Sequence, residues 1–468
     1  MPTSQIVSGA ITAIVLIVLT LPWLRHKFRK SDPDFVRLVS WALVAKILAS
    51  IARYFVAYQI YGGVADSAQY YNTGVALVPQ FRQFDFHANV GKVIGTGVIK
   101  IFTGLVFAAT GVSDIGGYFI YSWLGFLGLW LFFRAFRLAV PEGDVRRYFW
   151  LVFLLPSMLF WPSEIGKEAW MTLGLGLSAY GAARILTYRP FGYVLVLLGC
   201  TETALVRPLV TALLLAALVM AFLLRRSQVA AGSGHQARRG GQIVGIVVLS
   251  AALLVGVTQA NTFFSKDGVE SGGSTGISAI ISGTAARTTQ GGSHFAPARL
   301  SAPWTIPYAV LSVTFRPFPW EARNVQGLLA SGEGAFLLYM TWRSRKRLRN
   351  LWKWMRFRPY IALCLLYSLL FAFGFSAVGN FGILARERVM QFPFFVVILA
   401  LPDHRPGEAE TEGGDPDPAE KDVIGGVRIS AMHPAALSRA PLATDSELVP
   451  VSPGRIPPPP SAAPSAPP

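Results

Sequence analysis

The sequence predicts an all-α, polytopic membrane protein of about eleven spans, with interfacial and re-entrant elements on its outer side. Three observations carry that expectation. Of 468 residues, 53% are hydrophobic and 14% are charged, where a soluble chain carries about 25% charged residues. Apolar runs of roughly 20 residues recur along the chain, each long enough to cross a bilayer as a helix. The formal net charge of +17 gathers in short loops between those runs, as the positive-inside bias requires. That distribution argues against nucleic acid as the partner of the positive charge. Cys200 and Cys364 lie inside apolar runs, so neither a disulfide framework nor a metal-ligand spacing is expected.

The first run, 6–24, has no basic residue before it and Arg25, Lys27, Arg29 and Lys30 after it. This order is the reverse of a signal peptide. It predicts an anchor helix with its N-terminus outside, so that 1–34 form an anchor and a basic cytoplasmic loop ahead of a multi-spanning domain, 35–401. The run 35–61 returns outside. Residues 62–117 are mostly polar and are expected there, with the weakly amphipathic piece 98–110 at the interface or dipping into it. A span over 118–138 comes back to Arg134, Arg137, Arg146 and Arg147. Two hairpins follow, 148–161 with 169–186 and 191–206 with 209–224, turning outside at 162–168 and at Arg207-Pro208. The basic stretch 225–241 is expected in the cytoplasm, 243–263 goes out, and 265–301 is a Gly/Ser/Thr-rich loop.

Residues 304–320 are apolar but interrupted by Pro307, Pro317 and Pro319. A re-entrant or interfacial element facing a cavity suits them better than a straight span. Spans over 325–342, 359–378 and 390–401 complete the count. The basic cluster 343–358, with Trp352 and Trp354 interleaved, reads as orientation plus attraction to anionic membrane lipid. The tail, 402–468, turns acidic and then Pro/Ala/Ser-rich. It cannot bury a core, and is expected to be a disordered cytoplasmic segment open to envelope-biosynthesis proteins.

Ionisable groups beside apolar runs are costly and tend to mark sites. The expected topology puts Lys167, Arg207, Arg316, Arg323, Arg386 and Arg388 on the outer side, with Asp66, Glu164, Glu168, Glu202, Glu321 and Glu387 near them in sequence. Cations at four separate outer turns point to one shared site for an anion. Asp66 fits a general base for an incoming hydroxyl, a ligand for a divalent metal such as Mg or Mn, or the cap of a short interfacial helix. Tyr70, Glu164, Glu168 and Glu321 are expected to support the site. In 162–168, Ser163 suits a helix cap, and Glu164 and Glu168 suit the first turn. Lys167 opposes the helix dipole. An ion pair with a neighbouring Glu would explain it, and so would a phosphate at the helix N-terminus, which the tight hairpin favours. Arg207 precedes a proline at the first helical position and can snorkel. Arg316-Pro317-Phe318-Pro319-Trp320-Glu321-Ala322-Arg323 reads as an aromatic belt with snorkelling arginines or as a phosphate clamp beside an apolar groove. Arg386-Glu387-Arg388 admits the same two readings. Gly91-Lys92-Val93-Ile94-Gly95-Thr96-Gly97 is not a P-loop, because its lysine is in the wrong place. The helix with Gly174, Gly176 and Gly181 is expected to pack closely on its neighbours.

A resemblance rests on Leu155-Pro156-Ser157-Met158-Leu159-Phe160-Trp161, Gly166-Lys167-Glu168, Val206-Arg207-Pro208, Phe315-Arg316-Pro317-Phe318, and Asn380-Phe381-Gly382 with Arg386 and Arg388. These motifs resemble a family of bacterial multi-spanning envelope proteins, similar in pattern to GT-C-type glycosyltransferases and polysaccharide polymerases. The resemblance covers about residues 35–400. It implies sugar transfer at the outer face of the plasma membrane, from a lipid-linked sugar on polyprenyl phosphate or diphosphate. Asp66 resembles the first-loop Asp of GT-C enzymes, here a single Asp behind an extra N-terminal helix. The resemblance makes Asp66 the base and the outer cations the holders of the phosphate. The same cations would serve a polymerase or ligase of lipid-linked glycans without a carboxylate base. A flippase for an anionic lipid-linked sugar and a non-catalytic scaffold are the readings from other classes. Geometry separates them: an enzyme should hold Asp66 within a few ångströms of the cations at one cavity.

Overall fold

The computed structural model describes residues 3–28, 33–63, 65–224, 254, 258, 288, 294–297 and 305–406. By internal contacts the chain divides into Met1–Val423 and Ile424–Pro468, and every described residue belongs to the first unit. The basic stretch 225–241 and nearly all of the expected span 243–263 and loop 265–301 lie outside the described residues, as does 407–468 of the tail. Among the described residues the secondary structure is helical, apart from one antiparallel bridge between His294 and Asn380.

Four described stretches are long and apolar enough to cross a membrane: Thr3–His26, Phe35–Ile60, Val93–Thr110 and Asp114–Ala139. Shorter apolar helices are Gly192–Ala204, Pro208–Leu224, Ile306–Phe315 and Pro359–Phe375. Many large apolar side chains point away from the protein, among them Ile14, Leu19, Trp41, Leu48 and Leu197, each at least 60% exposed. Such a surface suits lipid rather than water.

The first ten helices are α1 (Thr3–Phe28), α2 (Pro33–Phe55), α3 (Asp66–Arg82), α4 (Val98–Thr110), α5 (Asp114–Ala139), α6 (Val145–Leu154), α7 (Pro156–Phe160), α8 (Lys167–Leu186), α9 (Gly192–Ala204) and α10 (Pro208–Leu224). Helix α5 is the hub: α1, α2 and α8 pack on it, α9 packs on α8, and α10 packs on Pro359–Phe375. Small residues set the closest crossings, as the Gly174, Gly176 and Gly181 pattern suggests. A Cβ on Gly176 would sit 2.4 Å from the Gly128 carbonyl oxygen, and one on Gly199 the same distance from that of Gly174. Backbones this close gain dispersion contacts along the whole crossing.

Where the helices break, proline explains the break. Leu155 is extended ahead of Pro156, so α6 ends there and α7 begins with proline at its first turn. Ile306–Phe315 ends at Arg316, and a single 3-10 turn, Pro319–Glu321, follows. Within 305–320 the break falls at Pro317 and Pro319, while Pro307 sits in the first turn of Ile306–Phe315 and interrupts nothing. The segment 62–117 is more ordered than its polarity suggests. It forms α3 and α4, packed on one another. Val93–Thr110 meets the length and composition of a span, where the sequence suggests an interfacial piece. Ile94 and Gly95 are non-helical within it, so the regular helix α4 has 13 residues, about 20 Å against a hydrocarbon core of about 30 Å.

The crossing of α5 and α8 is testable. Replacing Gly176 by Leu should lower stability by about 1–3 kcal/mol through overpacking. Gly332, where an added Cβ meets nothing within 4 Å, should accept Ala without loss. Thermal unfolding of the detergent-solubilised chain checks both.

Candidate functional site

Four segments remote in sequence meet at one place. Helix α3 brings Asp66 as its first residue, α8 brings Lys167 and Glu168 as its first two, Arg207 stands just before α10, and Arg386 and Glu387 close the short helix Phe381–Glu387. Arg386 Nη1 donates to Asp66 Oδ2 at 2.9 Å, and its Nε lies 2.9 Å from Glu168 Oε1. Arg207 Nη2 is 3.5 Å from the same Glu168 oxygen, and its Nη1 pairs with Glu387. Glu168 is thus a buried carboxylate, 4% exposed, shared by two guanidinium groups. Tyr70 is buried beside Asp66 and Glu168.

The resulting array alternates in sign: Asp66, Arg386, Glu168, Arg207, Glu387. Its arginines are largely neutralised within the array. Lys167 is different. Among the described residues it makes no ion pair within 4.0 Å, although Glu168, Glu387, Arg207 and Arg386 all act on it electrostatically. A cavity of about 450 Å³ opens beside the array. Lys167, Arg207, Arg386 and Glu387 form part of its wall, with Lys92 and Thr96, while Val206, Leu209, Val210, Phe375, Val378 and Ile383 give it an apolar side. Such a cavity can take a ligand with an anionic head and an apolar body.

Burial works to raise the Asp66 carboxyl's pKa, but the hydrogen bond and charge of Arg386, with Lys167 and Arg207 behind it, hold it below its usual value. Asp66 itself remains half-exposed.

The other expected site residues stand outside the array. Arg316 pairs with Glu321 and stacks 4.3 Å from the Phe295 ring. Glu321 also accepts the Phe318 N–H at 2.9 Å, which fixes the Pro319–Glu321 turn. Arg388 is fully buried and donates to the carbonyl oxygens of Thr314 and Arg316 at 3.1 and 2.7 Å. Arg323 is exposed and is not among the cavity-lining residues. Glu164 is buried against Arg53 at 2.7 Å. Ser163 does not cap α8: the cap residue is Gly166, without a side-chain bond, and Ser163 Oγ instead takes a hydrogen bond from Lys46 at 2.9 Å.

Lys46, Arg53 and Glu333 are the residues that sequence reasoning passed over. Lys46 is fully buried, and its ammonium donates to the carbonyl oxygens of Met158 and Pro162, both at 3.0 Å. Arg53 lies 4.6 Å from the Phe160 ring centroid and 5.0 Å from that of Trp161. Glu333 accepts the Ser157 N–H at 3.3 Å and pairs with its hydroxyl. The signal was present. Lys46 and Arg53 are ionisable groups inside an apolar run, seven residues apart and so on one helix face.

Among the described residues no group of three or more His, Cys, Asp or Glu converges as a metal site. Each carboxylate of the array faces an arginine, a donor set that does not fit a divalent cation such as Mg or Mn. Comparison with known protein families, curated proteins and solved structures found no match to this chain.

Two expectations follow from these geometries. Arg53→Ala should destabilise the chain by about 3–5 kcal/mol, because it strands the Glu164 carboxylate in the interior. Adding Glu164→Gln to it should restore part of the loss in thermal unfolding. The Asp66–Arg386 contribution should be fully present above about pH 4, the ordinary Asp range, and fade as pH falls through the lowered folded value. Melting temperatures of the parent and Asp66→Asn should therefore converge in acid and diverge as pH rises.

Proposed function

We propose that this chain is a membrane glycosyltransferase of cell-envelope glycan synthesis, taking its sugar from a polyprenyl-phosphate-linked donor at the outer face of the bacterial inner membrane. In this proposal it is multi-pass, with about eleven spans, the N-terminus outside and the C-terminal tail in the cytoplasm, where envelope-biosynthesis proteins would meet it. The observation that carries the reading is the meeting of Lys167, Arg207 and Arg386 on a cavity with an apolar opposite side, with Asp66, itself outside the cavity wall, 2.9 Å from Arg386. Polyprenyl phosphate has the matching chemistry: an anionic head on an isoprenoid chain.

The reaction would use the residues as follows. The acceptor hydroxyl oxygen attacks the anomeric carbon of the donor sugar, and the bond from that carbon to the phosphate oxygen breaks. Its electron pair leaves on the lipid phosphate, where Lys167 meets the developing charge first, since Arg207 and Arg386 are shared with carboxylates. The hydroxyl proton passes to Asp66, whose half-exposed carboxylate can be reached from solvent. Preorganised cations at a leaving oxygen are worth about 10²–10³ in rate each.

One observation favours a second reading, a polymerase or ligase of lipid-linked glycans. Asp66 is tied to Arg386, and its pKa is lowered, which weakens it as a base. Cations that hold a lipid diphosphate would then suffice without it. Quantifying the envelope glycan product in cells carrying single variants separates the two. Lys167→Ala should cut the product about 100-fold under either reading. Asp66→Asn should do the same only under the first. Product unchanged in Lys167→Ala would end both.

A further inference from the structure

The segment from Gly91 to Gly97, which has the look of a phosphate loop without its lysine spacing, lies against the same cavity: Lys92, Ile94, Gly95 and Thr96 are all part of the wall. Its backbone is not that of a simple entry into α4. Ile94 is extended (φ −63°, ψ 131°), and Gly95 takes φ 98°, ψ −119°, a conformation open to glycine and strained for other residues. Gly97 has no room for a side chain, since a Cβ there would sit 2.3 Å from the Lys92 carbonyl oxygen. The Gly95 N–H donates to the Leu205 carbonyl oxygen at 2.8 Å, two residues before Arg207. The strap is therefore fastened to the segment that delivers a cation to the cavity, and glycine at 95 and 97 is what lets it fold back on itself there.

We propose that this strap is a second wall of the phosphate site, with the Lys92 ammonium and the Thr96 hydroxyl contacting phosphoryl oxygens of the lipid head that Lys167 also holds. The inference rests on the lipid-phosphate reading and deepens it by assigning two further binding residues. Both residues line the cavity, Lys92 exposed and Thr96 half-buried. An ammonium and a hydroxyl on a strap fastened through the Gly95 N–H to Leu205 supply charge-assisted hydrogen bonds, which is what a binding wall needs.

The test uses the purified full chain in lipid nanodiscs, titrated with farnesyl monophosphate, farnesyl diphosphate and farnesol, with tryptophan fluorescence as the readout. Lys92→Ala and Thr96→Val should each weaken the phosphorylated probes about tenfold, the worth of one hydrogen bond to a charged group. Both should leave farnesol unaffected, and Lys92→Arg should retain most of the affinity. The parent melting temperature should persist in all three variants, which separates a lost contact from a lost fold. If Lys92→Ala and Thr96→Val bind like the parent while Lys167→Ala does not, the strap is not part of the site and the lipid-phosphate reading stands. If the parent itself fails to prefer the phosphorylated probes over farnesol, that reading and the strap fall together.

Discussion

A helix of five residues, α7, cannot hold itself together, because its nucleation cost exceeds what so few internal hydrogen bonds return. Here both of its ends are held by charges from other helices. Glu333 accepts the Ser157 N–H at the N-terminal end, and the Lys46 ammonium donates to the Met158 carbonyl oxygen at the C-terminal end. Each sign matches the end of the helix dipole it meets. The same ammonium binds the Pro162 carbonyl and Ser163 Oγ, and Arg53 holds Glu164 in the next turn. Two residues beyond Glu164 stands Gly166, the cap residue of α8. The position of Lys167 and Glu168 therefore depends on buried charges on α2 and on Val325–Arg343, helices that contribute nothing else to the array.

The array itself largely balances its own charge. Two arginines placed side by side would repel, and Glu168 between them, 2.9 and 3.5 Å away, relieves that repulsion. Asp66 and Glu387 take up further guanidinium capacity at the edges. An anion approaching this surface finds most of the positive charge already matched. Lys167 is the exception, and it stands where the first-turn N–H groups of α8 also lack partners within the helix. Its awkward place in the helix dipole is understandable if an anion completes the arrangement.

Much of this was legible in the residues. Periodicity and apolar runs announce helices, Pro317 and Pro319 mark a break, and the glycines of α8 foretell its close crossings, whereas the break at Pro156 divides what the sequence suggests is one span, 148–161. Asp66, Lys167, Arg207 and Arg386 were legible as site candidates because charge beside apolar sequence is costly. Arg316, Arg323 and Arg388 carry the same signal yet stand outside the array. Sequence cannot tell a cation that waits for a ligand from one that ties down a turn, as Arg388 does through the Thr314 and Arg316 carbonyls. The reverse error arose at Lys46 and Arg53, which lie within an expected span and away from any turn. Helix lengths were the least legible feature. A continuous apolar run does not reveal where backbone angles leave the helix, as at Ile94 and Gly95.

The central claim is that Lys167 and its neighbours hold a lipid phosphate. The most direct measurement is mass spectrometry of the lipid that copurifies with the full chain, run in parallel on the parent and on Lys167→Ala. The account predicts a polyprenyl phosphate or diphosphate with the parent and its depletion from the variant. Bulk membrane phospholipid alone with both, or polyprenyl phosphate retained equally by both, would contradict it.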